Sequence, residues 1–182
     1  MSDASHLVTA EELERLPDDD NRFELVRGRV IRMSPVGFTH ARIVARLCHL
    51  LGEHVRRHQL GVVGTELGVK LASNPDTVRG PDVTFIRRER IPAVPPRGFW
   101  TGPPDLIIEM LSPDDRFADV RAKVDEYLRS GVPLVVVIDP DRETALMARA
   151  GTAPGSVQGH DARLELADIV AGFSCALREV FE

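Results

Sequence analysis

The stretches RGPDVTFI, at 79 to 86, and PDLIIEMLSP, at 104 to 113, each place a Pro-Asp pair at the mouth of an apolar, strand-like run. The second run carries a further acid, Glu109, among Ile107, Ile108, Met110 and Leu111. A carboxylate in such company is expensive to bury unless a cation, a proton or a hydrogen-bond donor compensates it. Asp82 and Glu109 are therefore the first candidates for chemistry. Lys123 stands three residues after Val120 and four before Tyr127, so it borders an apolar helical stripe and could reach in over the strand ends.

Plainer readings stand beside each. Asp82 follows Pro81 and could simply form a turn. Glu109 could face solvent on a half-covered strand, and Lys123 could pair with Asp119, four residues earlier, on a helix surface. Asp105 reads as a strand-entry residue and Asp139, before Pro140, as a turn former at a strand's carboxyl end. Arg42, Arg46 and Arg56 lie along one helix side and could contact phosphates, although such a stripe is more often a solvated face.

The elements that must position these residues follow from periodicity. Thr9 and Glu12 have the spacing of a capping box, predicting a short helix ended by Pro17, and the acidic PDDDN that follows reads as a loop. RFELVRGRVIRMSP predicts a hairpin turning at Arg27-Gly28. Ile43, Leu47, Leu50, Leu51 and Val55 recur at helical spacing between about 39 and 58. Val63, Thr65, Leu67, Val69 and Leu71 then alternate as in one strand, and SNPDTVRG reads as a turn-rich connector. Strands at 83 to 86 and 106 to 111 flank a proline-rich loop, a helix spans Phe117 to Arg129, and Gly131 follows as a stop signal. PLVVVIDP is apolar on both faces, as expected of a strand covered on both sides. GTAPGSVQGHD reads as an exposed turn, and RLELADI and LREVFE as a closing strand and helix.

With 182 residues and 43% hydrophobic composition the chain can bury a sizeable core, and a single domain over 1–182 is expected. Cys48 and Cys175 fit neither a disulfide framework nor a zinc site, and Cys48 reads as a small core residue. No apolar run approaches the roughly 18 residues of a membrane span, so a soluble, cytoplasmic protein is expected. A net charge of −5 argues against a general electrostatic grip on nucleic acid.

The order helix, three strands, helix, strand predicts an α/β fold, with an N-terminal helix and β-hairpin as an extension. With Pro-Asp on the second strand and a glutamate in the third, it resembles the αβββαβ core of the restriction-endonuclease-like PD-(D/E)xK nucleases, a mixed sheet flanked by helices. Within that superfamily it is most similar to the bacterial Uma-two family of restriction endonucleases. The residues that carry the resemblance are FELVRGRVIRMSP with His40, RGPDVTFI, PDLIIEMLSP, DVRAKVDEY and SGVPLVVVIDP, together spanning about 23 to 140.

The resemblance implies a Mg²⁺-dependent endonuclease acting on DNA, with Mn²⁺ as a substitute. Asp82, Glu109 and the Met110 carbonyl would hold the metal through hard oxygens, and Lys123 would position water or stabilise the transition state. Glu24 and His40 match recurring positions and are second-tier catalytic candidates, although a strand glutamate beside a turn is usually solvated. Position 111, where a D/E-x-K motif has its lysine, is leucine, and the family's lysine is read as displaced to Lys123. Leu134, Val135 and Val136 replace a Glu-Tyr-Trp common in relatives, which motivates the alternative of a degenerate nuclease fold that binds nucleic acid or a protein partner. A metal-dependent hydrolase of small molecules is a third class. Cleavage of both strands of a duplex favours a homodimer.

Overall fold

Thr9 caps the first helix. Its hydroxyl accepts from the Glu12 N–H at 3.2 Å while the Glu12 carboxylate accepts from the Thr9 N–H at 2.8 Å, so the predicted capping box is formed and α1 (Ala10–Glu14) begins there. The computed structural model describes residues 6–16, 22–113, 115–159 and 161–182. The acidic segment 17–21, including Pro17, lies outside them. The hairpin follows as β1 (Arg22–Val26) and β2 (Arg29–Met33). Arg27 and Gly28 turn it with φ of 50° and 74°, the pair of left-handed residues that a two-residue hairpin turn requires.

In α2 (Phe38–Arg57), Ile43, Leu47, Leu51 and Val55 form the buried stripe. The single strand expected over 63 to 71 is instead two: β3 (Gly61–Thr65) and β4 (Val69–Ala72) belong to different sheets. Glu66 takes a φ of 52° between them, and Gly68 is pressed so closely by Phe99 that a Cβ would lie 2.2 Å from its ring. Apolar alternation is blind to such a left-handed break. The expected connector also contains a strand, β5 (Thr77–Arg79), with Thr77 and Val78 buried.

There follow β6 (Val83–Arg87), a 3-10 turn at Arg88–Arg90, β7 (Trp100–Thr101), β8 (Leu106–Met110) and α3 (Phe117–Arg129). The chain then forms β9 (Leu134–Asp139), β10 (Thr144–Ala148), β11 (Gly155–Gln158), β12 (Arg163–Glu165), β13 (Ser174–Ala176) and α4 (Leu177–Phe181). The turn expected at 151 to 161 is partly β11, paired with β10; the rest of it includes His160, outside the described residues.

The central sheet has the order β11-β10-β9-β8-β6-β3, with β8 and β9 parallel and the other neighbours antiparallel. Its two faces are covered separately. Phe85, Ile108, Met110, Val136 and Ile138 pack with α2 and the C-terminal segment, whereas Ile107, Val135 and Val137 pack with Val124 and Tyr127 of α3. This two-sided cover explains the unbroken apolar run of β9. The mixed sheet flanked by helices is the predicted α/β architecture. The N-terminal hairpin is more than an appendage, since it joins β5, β4 and β7 in a second sheet of order β2-β1-β5-β4-β7. Among the described residues no helix is long and apolar enough to cross a membrane.

Candidate active site

Strand alternation sends Glu109 to the same face as Ile107, toward α3, while Ile108 and Met110 face α2. There Glu109 is only 9% exposed, and α3 supplies its compensation. The Tyr127 hydroxyl donates to Oε1 at 2.5 Å, and Lys123 Nζ lies 3.0 Å from the same oxygen. Lys123 and Tyr127 are four residues apart, so they stack on one side of the helix. Rather than pairing with Asp119 at the surface, Lys123 turns inward. Burial pushes the Glu109 carboxyl above its ordinary pKa; Lys123 pulls it down and the charge of Asp82 pushes it up again. Burial works against the Lys123 ammonium, but Glu109 and Glu24 more than reverse this, and its pKa is raised.

Glu24, on β1, is 3% exposed, so the solvated strand glutamate expected from sequence is absent. Its Oε1 accepts from the Gly80 N–H at 3.1 Å and lies 3.5 Å from Lys123 Nζ. Its Oε2 accepts from Arg79 Nη1 at 2.8 Å, and Arg79 Nε donates to Glu126 Oε2 at 2.7 Å. Burial raises the Glu24 carboxyl, but Lys123 and Arg79 outweigh it, and the pKa is lowered overall. Lys123 thus bridges Glu109 and Glu24, and Arg79 bridges Glu24 and Glu126, so Glu24 is shared by the two cations.

Asp82 lies immediately before β6. In the β6–β8 register Val83 faces Ile108 and Thr84 faces Ile107, so one further step sets Asp82 opposite Glu109. Directly opposed residues of antiparallel strands share a face, and the charge of Asp82 is felt at Glu109. Asp82 Oδ2 accepts from the Met110 N–H at 2.7 Å, and His40 Nε2 lies 3.0 Å from Oδ1. The hydrogen bond to Asp82 raises the His40 pKa against the opposing effect of burial. His40 Nδ1 is buried without a partner among the described residues, and because the Asp82 carboxylate accepts, Nε2 is the nitrogen that presents a proton to it.

A cleft of about 670 Å³ opens over Glu24, Arg79, Glu109 and Lys123, with Ile31 and Met33 of β2 as part of its wall; Asp82 and His40 are not among its lining. Among the described residues no group of three or more His, Cys, Asp or Glu is arranged to hold a metal. A cation at this site would therefore need the carboxylate pair together with a main-chain oxygen. Both contacts of Glu109 go to Oε1, and Oε2 has no partner among the described residues.

The remaining candidates are tied into the framework. Asp105 accepts from the Arg87 N–H at 2.9 Å and pairs with Arg90 at 3.1 Å. Asp139 accepts from the N–H groups of Asp141 and Arg142, both at 3.0 Å, which is a turn. Arg42 Nη1 donates to the carbonyls of Phe181 and Glu182, and Arg46 Nε to that of Glu179, so both bind backbone at the end of α4. Arg56 is exposed. Sequence reasoning missed Arg79, Glu126 and the polar role of Tyr127. The spacing of Lys123, Glu126 and Tyr127 at i, i+3 and i+4 was the available signal; Arg79 was hidden in a segment read as a connector.

A family model, Uma2, described as "Putative restriction endonuclease", matches residues 10–178. Among solved structures, one described as "a putative nuclease belonging to DUF820" from Anabaena variabilis ATCC 29413 is 21% identical. It covers 96% of this chain and 97% of its own, with a TM-score of 0.84, and it shares the fold. The DrdV-DNA complex, determined by cryo-electron microscopy, is 17% identical over 78% of this chain and 96% of its own, with a TM-score of 0.35. No curated protein matches the chain.

Proposed function

This chain belongs to the Uma2 family, and from that premise we propose that it is a DNA endonuclease in which Asp82, Glu109 and the Met110 carbonyl hold Mg²⁺ or Mn²⁺. The observation that carries the reading is the inward turn of Lys123, whose Nζ reaches Glu109 at 3.0 Å although position 111 is leucine. The donor set suits a hard divalent cation: two carboxylates on opposed residues, Glu109 with an oxygen that has no partner among the described residues, and room beside Glu109 in the cleft for water and phosphate. Such an ion neutralises phosphate charge and activates water.

The other roles fall to side chains. Lys123 remains an ammonium, so it donates hydrogen bonds to the attacking water and the phosphate oxygens and does not take a proton. Tyr127 remains a phenol, its pKa raised well above the ordinary value by burial and by Glu109, and it fixes the Glu109 carboxylate. His40 orients Asp82, and Arg79 holds Glu24 against Lys123. The working unit is a symmetric dimer that places two such sites on a duplex. The free thiols of Cys48 and Cys175 suit a reducing, cytoplasmic setting.

Supercoiled plasmid incubated with the purified chain and Mg²⁺ or Mn²⁺ should yield nicked and linear products, and chelation or Asp82→Ala should abolish them. Cutting that persists unchanged in Asp82→Ala overturns the assignment. Binding of DNA without cation uptake in calorimetry, and without cutting, would identify a non-catalytic member of the family.

A further inference from the structure

We propose that the groove between α3 and β10 seats an unpaired nucleic-acid strand running out of the active-site cleft. The proposal rests on the nuclease reading of that cleft and adds a substrate feature to it. The groove encloses about 900 Å³, and Val120, Val124 and Arg129 line both it and the cleft, so the two spaces adjoin. Its floor is apolar, with Val120, Val124 and Leu128 facing Leu146 and Ala148 of β10.

The rim has the opposite character. Arg121, Arg129 and Arg149 line the groove against Asp125 alone, a local positive excess on a chain of net charge −5. Arg149 is tied to Asp168 at 2.7 Å, and Arg129 Nε donates to the Asp125 carbonyl at 3.0 Å. Arg121 is exposed and has no partner among the described residues. At the first residue of α3 stands Phe117, 77% exposed; of the nine aromatic residues only it and Phe38 are more than half exposed.

An apolar floor, an exposed ring and a cationic rim match the two surfaces of a single strand. Unstacked bases lie on apolar and aromatic side chains while phosphates follow the positive charge. A duplex offers the rim its phosphates but hides its bases from the floor. The expected occupant is therefore a single-stranded tail, overhang or separated strand.

The test uses fluorescence anisotropy in chelator, with a labelled single-stranded oligonucleotide and a duplex of the same sequence. Phe117→Ser and Arg121→Gln both lie outside the proposed metal site. Each should weaken single-strand binding by about tenfold; Phe117→Ser should leave duplex binding little changed, and Arg121→Gln should also reduce the single-strand salt slope by about 0.7. The proposal is overturned if the wild-type chain binds no single strand, if both variants bind it as tightly as wild type, or if they instead dissolve a dimer seen by light scattering. Groove-dependent single-strand binding by a chain that never cuts would sink the nuclease reading alone. Cutting with no effect of either variant on single-strand binding would sink the groove alone.

Discussion

Lys123 Nζ lies 3.0 Å from Glu109 Oε1, so a helix delivers to the strand acid the charge that the strand itself lacks at Leu111. Lys123→Met keeps the stem and removes the ammonium. Plasmid nicking should fall by about 100-fold or more. Stability, measured by urea unfolding, should fall by about 3 kcal/mol, because Glu109 is left buried without its cation. The double variant Lys123→Met, Glu109→Gln should recover most of that stability and none of the activity.

Tyr127→Phe removes one hydroxyl and leaves the ring in place. Glu109 loses a donor in a buried setting, so a stability loss of about 1–2 kcal/mol is expected. Cation affinity by calorimetry should weaken by about tenfold, the usual cost of losing a group that orients a ligand.

Arg79→Lys tests whether one fork is needed to hold Glu24 and Glu126 together. Lysine offers a single point of charge and cannot reproduce the two separate nitrogens that make these bonds. The melting temperature should fall, and kcat should fall with KM nearly unchanged, because Arg79 acts through Glu24 and Lys123.

Glu24 sets part of the acid stability. Its carboxyl titrates below the ordinary value of 4.5 when folded, so its contribution is complete above pH 4.5 and is lost as pH falls through the lower folded value. Wild-type stability should decline over that interval, and Glu24→Gln should flatten the decline while lowering stability at neutral pH. An unchanged slope in urea titrations at pH 5 and pH 3 would contradict this.

Gly28 has a φ of 74°, and a Cβ there would lie 2.8 Å from Leu7 Cβ. Gly28→Ala should destabilise the chain by about 1–2 kcal/mol through backbone strain alone. Thermal melting provides the measure.

Much of this was readable beforehand, and the failures have specific causes. The cap at Thr9, the turn at Arg27-Gly28 and the stripe of α2 are local signals, and each appears as periodicity predicts. Asp82 and Glu109 stood out because acids in apolar runs demand compensation, and Lys123 because the family resemblance, with Leu111 in the usual lysine position, implies a lysine displaced onto the following helix. Glu24 was misjudged because its partners are remote: Gly80 and Arg79 are more than fifty residues away, and Lys123 about a hundred. Arg79 was overlooked because β5 is three residues long and pairs with strands whose positions no local pattern announces.

The opposition of Asp82 and Glu109 has a bearing on how this protein can change. Their spacing is set by the hydrogen-bonded register of two neighbouring strands, and the bond from the Met110 N–H to Asp82 extends that register past its last ladder pair. New substrates would have to be accommodated by the surrounding walls, the β2 edge and the start of α3, where side chains can be exchanged while the acids stay fixed. The candidate centre is tied to the register of the sheet, and the exchangeable side chains lie at its borders.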